Sequence, residues 1–374
     1  MKKFLFYLLI FLIFFISKNI CKSYEYSPEI QNEILEQFEE SDAKNLNKNL
    51  PDYSLEFFNQ ANINIKNIFS VKNLRFESLI NIILNLLKNK IFLFIKFIIP
   101  VIFIIIIYSF VSSFCESEQE ILKFIITCLV CISTSFNLLK IIQNIVLCLN
   151  IASKFVLCFI PVFSSFAISL GLPLSSAAFN SSILFFNQII MSIAKDIIIP
   201  VSNTMSGLCI ISSVSSKIKL NKIFDIFYSV IKYLLIFFGA LISFIFSVQK
   251  IIGNSIENLA GKEIKFMSNL IPIVGSALSD AAIVVRNSAK ILWVNIGSFG
   301  IISIIFIFLP NIIDCLVLNI SFQICEFLSQ IFDFKNLENL FLSFKKIINI
   351  LLAIEIIFIF IFIFVTSITM KINI

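Results

Sequence analysis

Histidine is absent from all 374 residues of the chain. Without it, Ser-His-Asp and Cys-His catalysis and every histidine-ligated metal site are excluded within this chain. Charge is scarce as well, at 14% of residues, where a soluble domain carries about 25%. A surface built from so few charges precipitates, so a soluble globular fold is excluded. Glycine is sparse, with 8 residues against 45 phenylalanines. The crowding of Ile, Phe, Asn and Lys matches AT-rich codons and reports on the genome more than on function.

What remains is apolar. Hydrophobic residues make up 59% of the chain and the mean hydropathy is +0.99. Apolar runs of 18 or more residues recur from Ile91 onward, long enough to cross a hydrocarbon core of roughly 30 Å. The expected fold is all-α, a polytopic transmembrane helical bundle with a short N-terminal extramembrane helical segment. The net charge of +6 is spread over loops, where lysines anchor a membrane protein to the lipid surface. A nucleic-acid partner does not follow from it.

Nine cysteines are present, and Cys128 and Cys131 form a CxxC spacing. Their flanks are wholly apolar and no histidine exists to complete a zinc site, so they read as small hydrophobes in packed helices. Neither a metal nor a cofactor is expected.

Three regions follow one another. Residues 1–22 carry Lys2 and Lys3 before an apolar run from Phe4 to Ile16, the layout of a signal peptide or of an uncleaved signal anchor. No lipobox precedes Cys21. Residues 23–88 form the one sizeable polar segment. There Ile30, Ile34 and Phe38 fall four apart among Glu29, Glu33, Glu36, Glu39 and Glu40, an acidic amphipathic helix. A second stripe of Leu79, Ile80, Ile83, Leu86 and Leu87, followed by Lys88 and Lys90, reads as a juxtamembrane interfacial helix or a plain linker helix.

Residues 89–374 form the membrane domain. Spans are expected near 91–111, 121–139, 141–160, 182–200, 224–248, 291–309 and 347–369. Residues 201–214 and 311–331 read as half-helices, re-entrant hairpins or further spans. That makes about seven spans, some kinked or re-entrant. Orientation signals conflict at the first span. A signal peptide places the segment after residue 23 outside, whereas the acidic loop with Glu116, Glu118 and Glu120 and the basic loop with Lys217, Lys219 and Lys222 follow the positive-inside pattern.

Proline recurs between aliphatics at Pro100, Pro161, Pro200 and Pro272, three times leading into serine-rich sequence. Proline removes a helix hydrogen bond, and nearby hydroxyls satisfy the freed carbonyls. One reading is kinked packing helices; the other is a pathway lined by broken helices, as in many transporters. Lys195 and Asp196 are neighbours that project about 100° apart on a helix, so each needs its own partner or water. Asp280 opens a polar stripe with Arg286 and Lys290, and Glu355 lies alone in the last span. Such groups serve an ion relay or an interhelical ion pair. Asp196 and Asp280 lack the Tyr-Asp and Gly-x-Gly-Asp contexts of intramembrane aspartyl proteases, and no rhomboid-like serine dyad motif is present, so an enzyme is not expected.

The stretch Asn269-Leu270-Ile271-Pro272-Ile273-Val274-Gly275, with Lys265-Phe266 before it and Ser279-Asp280-Ala281 after it, continues to Asn295 and Gly297. Together with Pro161, Pro200 and Ser247-Val248-Gln249, it resembles the stage III sporulation protein AE family. The family pattern carries a second glycine and a further acid where this chain has Ser276 and Ile283. The missing acid weakens an ion relay through this stretch.

The resemblance implies a non-enzymatic subunit of a channel-like or secretion-like apparatus that connects mother cell and forespore after engulfment. It implies a place in the mother-cell-derived membrane around the forespore. The implied partners are sister membrane subunits, a cytosolic ATPase and ring-forming proteins of the intermembrane space. The residues singled out are Pro272, Gly275, Ser279, Asp280, Lys195, Asp196, Arg286 and Pro200. The competing expectation is an autonomous ion-coupled secondary transporter.

Overall fold

The computed structural model of the protein describes residues 42–61, 63, 76–112, 119–215, 220–240 and 275–371. The signal-like start, the acidic helix at 30–38, Lys217, Lys219 and Pro272 lie outside the described residues.

All regular structure among the described residues is helical. A 3-10 turn, Asp42–Asn49, leads into α1, Asp52–Gln60. Helix α2 is Phe76–Ser112, α3 is Gln119–Ser169 and α4 is Pro173–Ser192. A π-helical turn, Ile193–Ile198, carries α4 straight into α5, Ile199–Val214. Helix α6 is Asn221–Ala240, α7 is Gly275–Ile331 and α8 is Lys335–Lys371. Five of these stretches are long and apolar enough to cross a membrane, with Ile98–Val111 in α2 a shorter apolar one.

Some expected breaks are not there. The spans expected at 121–139 and 141–160 are one 51-residue helix, about 76 Å long at 1.5 Å per residue. Lys140 separates them in the sequence, but lysine is a good helix former and its exposed side chain leaves the backbone undisturbed. Residues 311–331 likewise continue α7 through Pro310, and residues 201–214 continue α4 beyond the π turn. Neither is a half-helix or a re-entrant hairpin. A single proline removes one hydrogen bond, which a helix packed on several sides survives.

Two turns stop the long helices by the same device. Gly171, at φ 77°, ends α3 with its N–H bonded to Ile168 and that of Leu172 to Ala167. Asp333, at φ 51°, ends α7 with its N–H on Gln330 and that of Phe334 on Ser329. Both are Schellman motifs, which satisfy the orphan carbonyls of a helix end. Pro173 then opens α4, where a missing N–H costs nothing.

Helices α7 and α8 form an antiparallel hairpin, with Phe308 against Phe358 and Phe322 against Phe341 and Phe344. Asn319 donates to Asn349 across it at 2.9 Å. Helix α3 runs antiparallel to α7, placing Phe163 on Trp293, and Phe159 sits against Gly300. A Cβ at Gly300 would collide with the Phe159 ring, and one at Gly297 with Met370 and Phe163. These two glycines set how closely the helices approach. Helix α4 returns along α3, with Asn187 donating to Ser153 at 2.9 Å. Helix α2 runs parallel to α7, from a Lys90–Asp314 pair to Tyr108 on Phe334.

The polar N-terminal segment is docked on this bundle. Phe57 meets Phe306, and Phe58 meets Phe299 and Phe306 with ring centroids 5.0–5.7 Å apart. Leu46, Leu50 and Ile63 are buried beside them. Asp52 begins α1, where a carboxylate suits the helix dipole. The exposed face of α1 carries Asp52, Glu56, Asn59 and Gln60.

Candidate functional site

The functional question starts with the one fully buried carboxylate on α8. Glu355 is 0% exposed, and a charge or polar group at such depth needs a partner. Its partner stands on α7: Asn311 Nδ2 donates to Glu355 Oε1. The pair leaves two acceptors, Glu355 Oε2 and Asn311 Oδ1, buried and without a hydrogen-bond donor among the described residues. An acid-amide pair with two free acceptor oxygens suits a proton, a bound water or a small cation.

Pro310 prepares this place. It has no N–H to give the carbonyl of Phe306, four residues back. On the neighbouring carbonyl, that of Ile307, the Tyr53 hydroxyl donates at 3.1 Å. Burial pushes the Tyr53 phenol well above its ordinary range, with the Cys148 thiol beside it a smaller contribution. Tyr53 therefore stays a donor at neutral pH. Helix α1 thus plugs the bundle just where α7 has a weak point.

One turn along α7, Asp314 sits between Asn311 and a wider cavity. Its carboxylate accepts from Lys90 on α2, at 2.7 and 2.9 Å to the two oxygens. Polar groups therefore run in sequence from the core outward: Glu355, Asn311, Asp314, Lys90. Cys148 and Asn144 line the α3 side one turn apart, with Asn144 in the cavity wall. A further ion pair, Lys345 with Glu326, braces the α7–α8 hairpin. Lys346 bonds Asp225 at 2.7 Å and lies over the rings of Phe224 and Tyr228, tying α6 to α8.

The residues singled out from the sequence are placed elsewhere. Lys195 and Asp196 are both exposed on the π-helical turn, and Pro200 is exposed just after it. That turn touches α8. Ile190, one turn earlier, shares a small cavity with Phe358, one turn from Glu355. So the π turn lies at about the level of the buried pair but faces outward. π-Bulges concentrate at functional sites. Gly275 is the first residue of α7, and Ser279, Asp280 and Arg286 fall in its next turns, where the backbone alone is described. Of the charges noted in the sequence, Glu355 forms the core of the cluster and Lys90 joins it at its outer end through Asp314. Asn311 and Tyr53 were missed. Asn311 follows the only proline of its helix, and that was the available signal.

Cys128 and Cys131 are free thiols on α3. Among the described residues, no group of three or more Cys, Asp or Glu side chains is gathered to hold a metal ion.

A family model for stage III sporulation protein AE matches residues 57–373. The chain belongs to that family. The match begins inside α1 and runs through α8, so it takes in the end of the docked α1 and the whole helical bundle. Comparison with curated proteins and with solved structures gave no match. The chain is therefore a multi-pass membrane protein of a stage III sporulation family, with five helices able to span a bilayer among the described residues.

Proposed function

We propose that the protein is a non-enzymatic membrane subunit of a channel-like complex that links mother cell and forespore and sustains the forespore after engulfment. The observation that carries this reading is the family match across residues 57–373, laid over a helical bundle whose buried acid is paired within the chain. In this reading the protein lies in the mother-cell membrane that surrounds the forespore. The acidic segment at 29–40 meets ring-forming partners in the intermembrane space. The lysines at 217–222 meet a cytosolic component such as an ATPase. Sister membrane subunits complete the assembly.

The test is co-purification from sporulating cells. A subunit is recovered with other membrane proteins of the complex and moves no solute when reconstituted alone. Recovery as a lone species that drives ion-coupled solute uptake in proteoliposomes refutes the proposal. Asp280→Ala and Pro272→Ala are expected to block sporulation after engulfment while the protein still accumulates. Normal spore yield from both removes the 272–280 segment from the mechanism.

A second reading, an autonomous ion-coupled transporter, draws on one observation, the two orphan acceptors of Glu355 and Asn311. In that case Glu355→Gln abolishes coupled uptake in proteoliposomes without loss of the folded protein.

A further inference from the structure

The cavity beside Asp314 has a volume of about 490 Å³ and is walled by α2, α3 and α7. Three of its lining residues are Lys90, Lys96 and Lys140, against a single carboxylate, Asp314. Asp314 is already bonded to Lys90. Lys96 and Lys140 are exposed and have no ion pair among the described residues. Asn137 and Asn144 add amide groups to the wall. Two uncompensated ammonium groups facing one concavity lined with amides suit an anion with several acceptor oxygens.

The surroundings say where that anion comes from. Below the cavity, toward the α7–α8 turn, the outward side chains of α2 are apolar from Ile99 to Phe110, with Phe103, Ile106 and Ile107 between. That stretch is about 17 Å long at 1.5 Å per residue, a little over half of a hydrocarbon core of about 30 Å. On α3 the outward residues Ile121, Ile125, Leu129, Ile132 and Phe136 continue the same band. Phe136 and Pro100 reach the cavity wall itself. The lysines therefore sit at the rim of an apolar band, where long cationic side chains extend toward headgroups. Basic pockets between membrane helices hold anionic lipid headgroups in this way.

We propose that this cavity binds the phosphate headgroup of an anionic phospholipid, with Lys96 and Lys140 as its ligands and the acyl chains lying on the apolar faces of α2 and α3. Lys90 is held by Asp314 and fixes the wall instead of binding the lipid. The site is independent of the Glu355–Asn311 pair and of the role in the complex.

The full-length protein, purified in a neutral detergent, is titrated by native mass spectrometry with phosphatidylglycerol and separately with phosphatidylcholine. One phosphatidylglycerol per chain is expected to be retained in preference. Lys96→Gln/Lys140→Gln is expected to lose that preference by roughly 20- to 30-fold, each lysine near a membrane surface being worth about fivefold. Lys140→Gln alone loses about fivefold. Lys96→Arg/Lys140→Arg keeps the preference, as does Lys154→Gln, which changes an exposed lysine of α3 outside the cavity. Equal retention of the two lipids by the wild type overturns the proposal, and so does an unchanged preference in the double Gln variant. Displacement of phosphatidylglycerol by equimolar inorganic phosphate overturns it too, and reassigns the cavity to a free anion.

Discussion

The stretches of α7 on either side of Pro310 are both rich in apolar residues, yet they bury their side chains against different things. From Leu292 to Phe308 almost every residue is enclosed, by α3, α8 and the docked α1. Beyond Pro310, Leu316, Ile320, Phe327 and Ile331 open outward, in line with the exposed apolar faces of α2 and α3. The proximal half is thus an aromatic core, and its outer wall mixes Leu147 and Leu157 with Gln143, Lys154 and the polar face of α1. The distal half is an apolar band rimmed by lysines. The sequence separates them in part, since Leu292 to Phe308 carries no charge whereas Asp314 and Glu326 fall beyond Pro310. Among the five described helices long enough to span, the most apolar windows, in α7 and α8, are 67% and 72% buried within the protein, whereas that of α6 is 17% buried.

Breaking the proximal core is the most severe test of that contrast. Phe58 is fully buried between Phe299 and Phe306, so Phe58→Ala should cost about 3–5 kcal/mol. A thermal melt in detergent reads it. If the loss is under about 1 kcal/mol, the site collapses readily and α1 is a loose cover, not part of the core.

The buried pair gives a smaller loss with a sharper signature. Asn311→Leu leaves the Glu355 carboxyl without its hydrogen-bond donor and should destabilise by about 1–3 kcal/mol. Asn311→Leu/Glu355→Met removes the stranded carboxyl as well and should recover most of that stability, since replacing both partners of a buried hydrogen bond by apolar groups is often nearly neutral. A neutral single variant would mean that water reaches Glu355, and the proximal half would no longer count as dry.

Glycine substitutions grade the close approach. Gly300→Ala drives a methyl into the Phe159 ring, which is fully buried and rigid. A cost of about 1–3 kcal/mol is expected for such overpacking. Gly297→Ala meets chiefly the flexible end of Met370 and should cost less. If the order reverses in thermal melts of the two variants, the α3–α7 contact is not what sets the spacing.

Much of the architecture was legible from composition and periodicity, because long apolar runs admit little but helices in a membrane. The merging of helices was not. Lys140 and Pro310 look like boundaries in a sequence, but a lysine can turn its ammonium to a cavity edge and a proline forfeits one hydrogen bond. Neither fact stops a helix that neighbours hold on several sides. The partner of Glu355 lies 44 positions away, a separation no local pattern reports. Phe57 and Phe58 were overlooked because acidic and amide residues dominate their segment, although Tyr53 and Phe57 repeat at i, i+4 directly after Pro51. The stretch 269–280 identified the family without locating the buried cluster.

Tyr53→Phe is a smaller perturbation. It removes one hydrogen bond to the Ile307 carbonyl, about 1 kcal/mol. The sign of its pH dependence follows from burial. The folded phenol titrates above the unfolded one, so the contribution is fully present at neutral pH and declines only as pH rises past about 10. A Phe variant whose melting temperature falls in parallel with the wild type above that pH would show that Tyr53 is not the group responsible.

The smallest effect on stability should come from the distal band, and it separates the two halves most directly. Phe103 is 63% exposed on α2, so Phe103→Trp should change stability by no more than about 0.5 kcal/mol. The chain's single tryptophan, Trp293, is fully buried in the proximal core. In vesicles containing brominated acyl chains, Trp293 of the wild type should be quenched weakly. A tryptophan at position 103, in a Trp293→Phe background, should be quenched strongly. Strong quenching of Trp293 would mean that lipid reaches the proximal core. Weak quenching at 103 would mean that the distal band is covered by protein, and then the lysine rim of the cavity would face a partner subunit, not a headgroup.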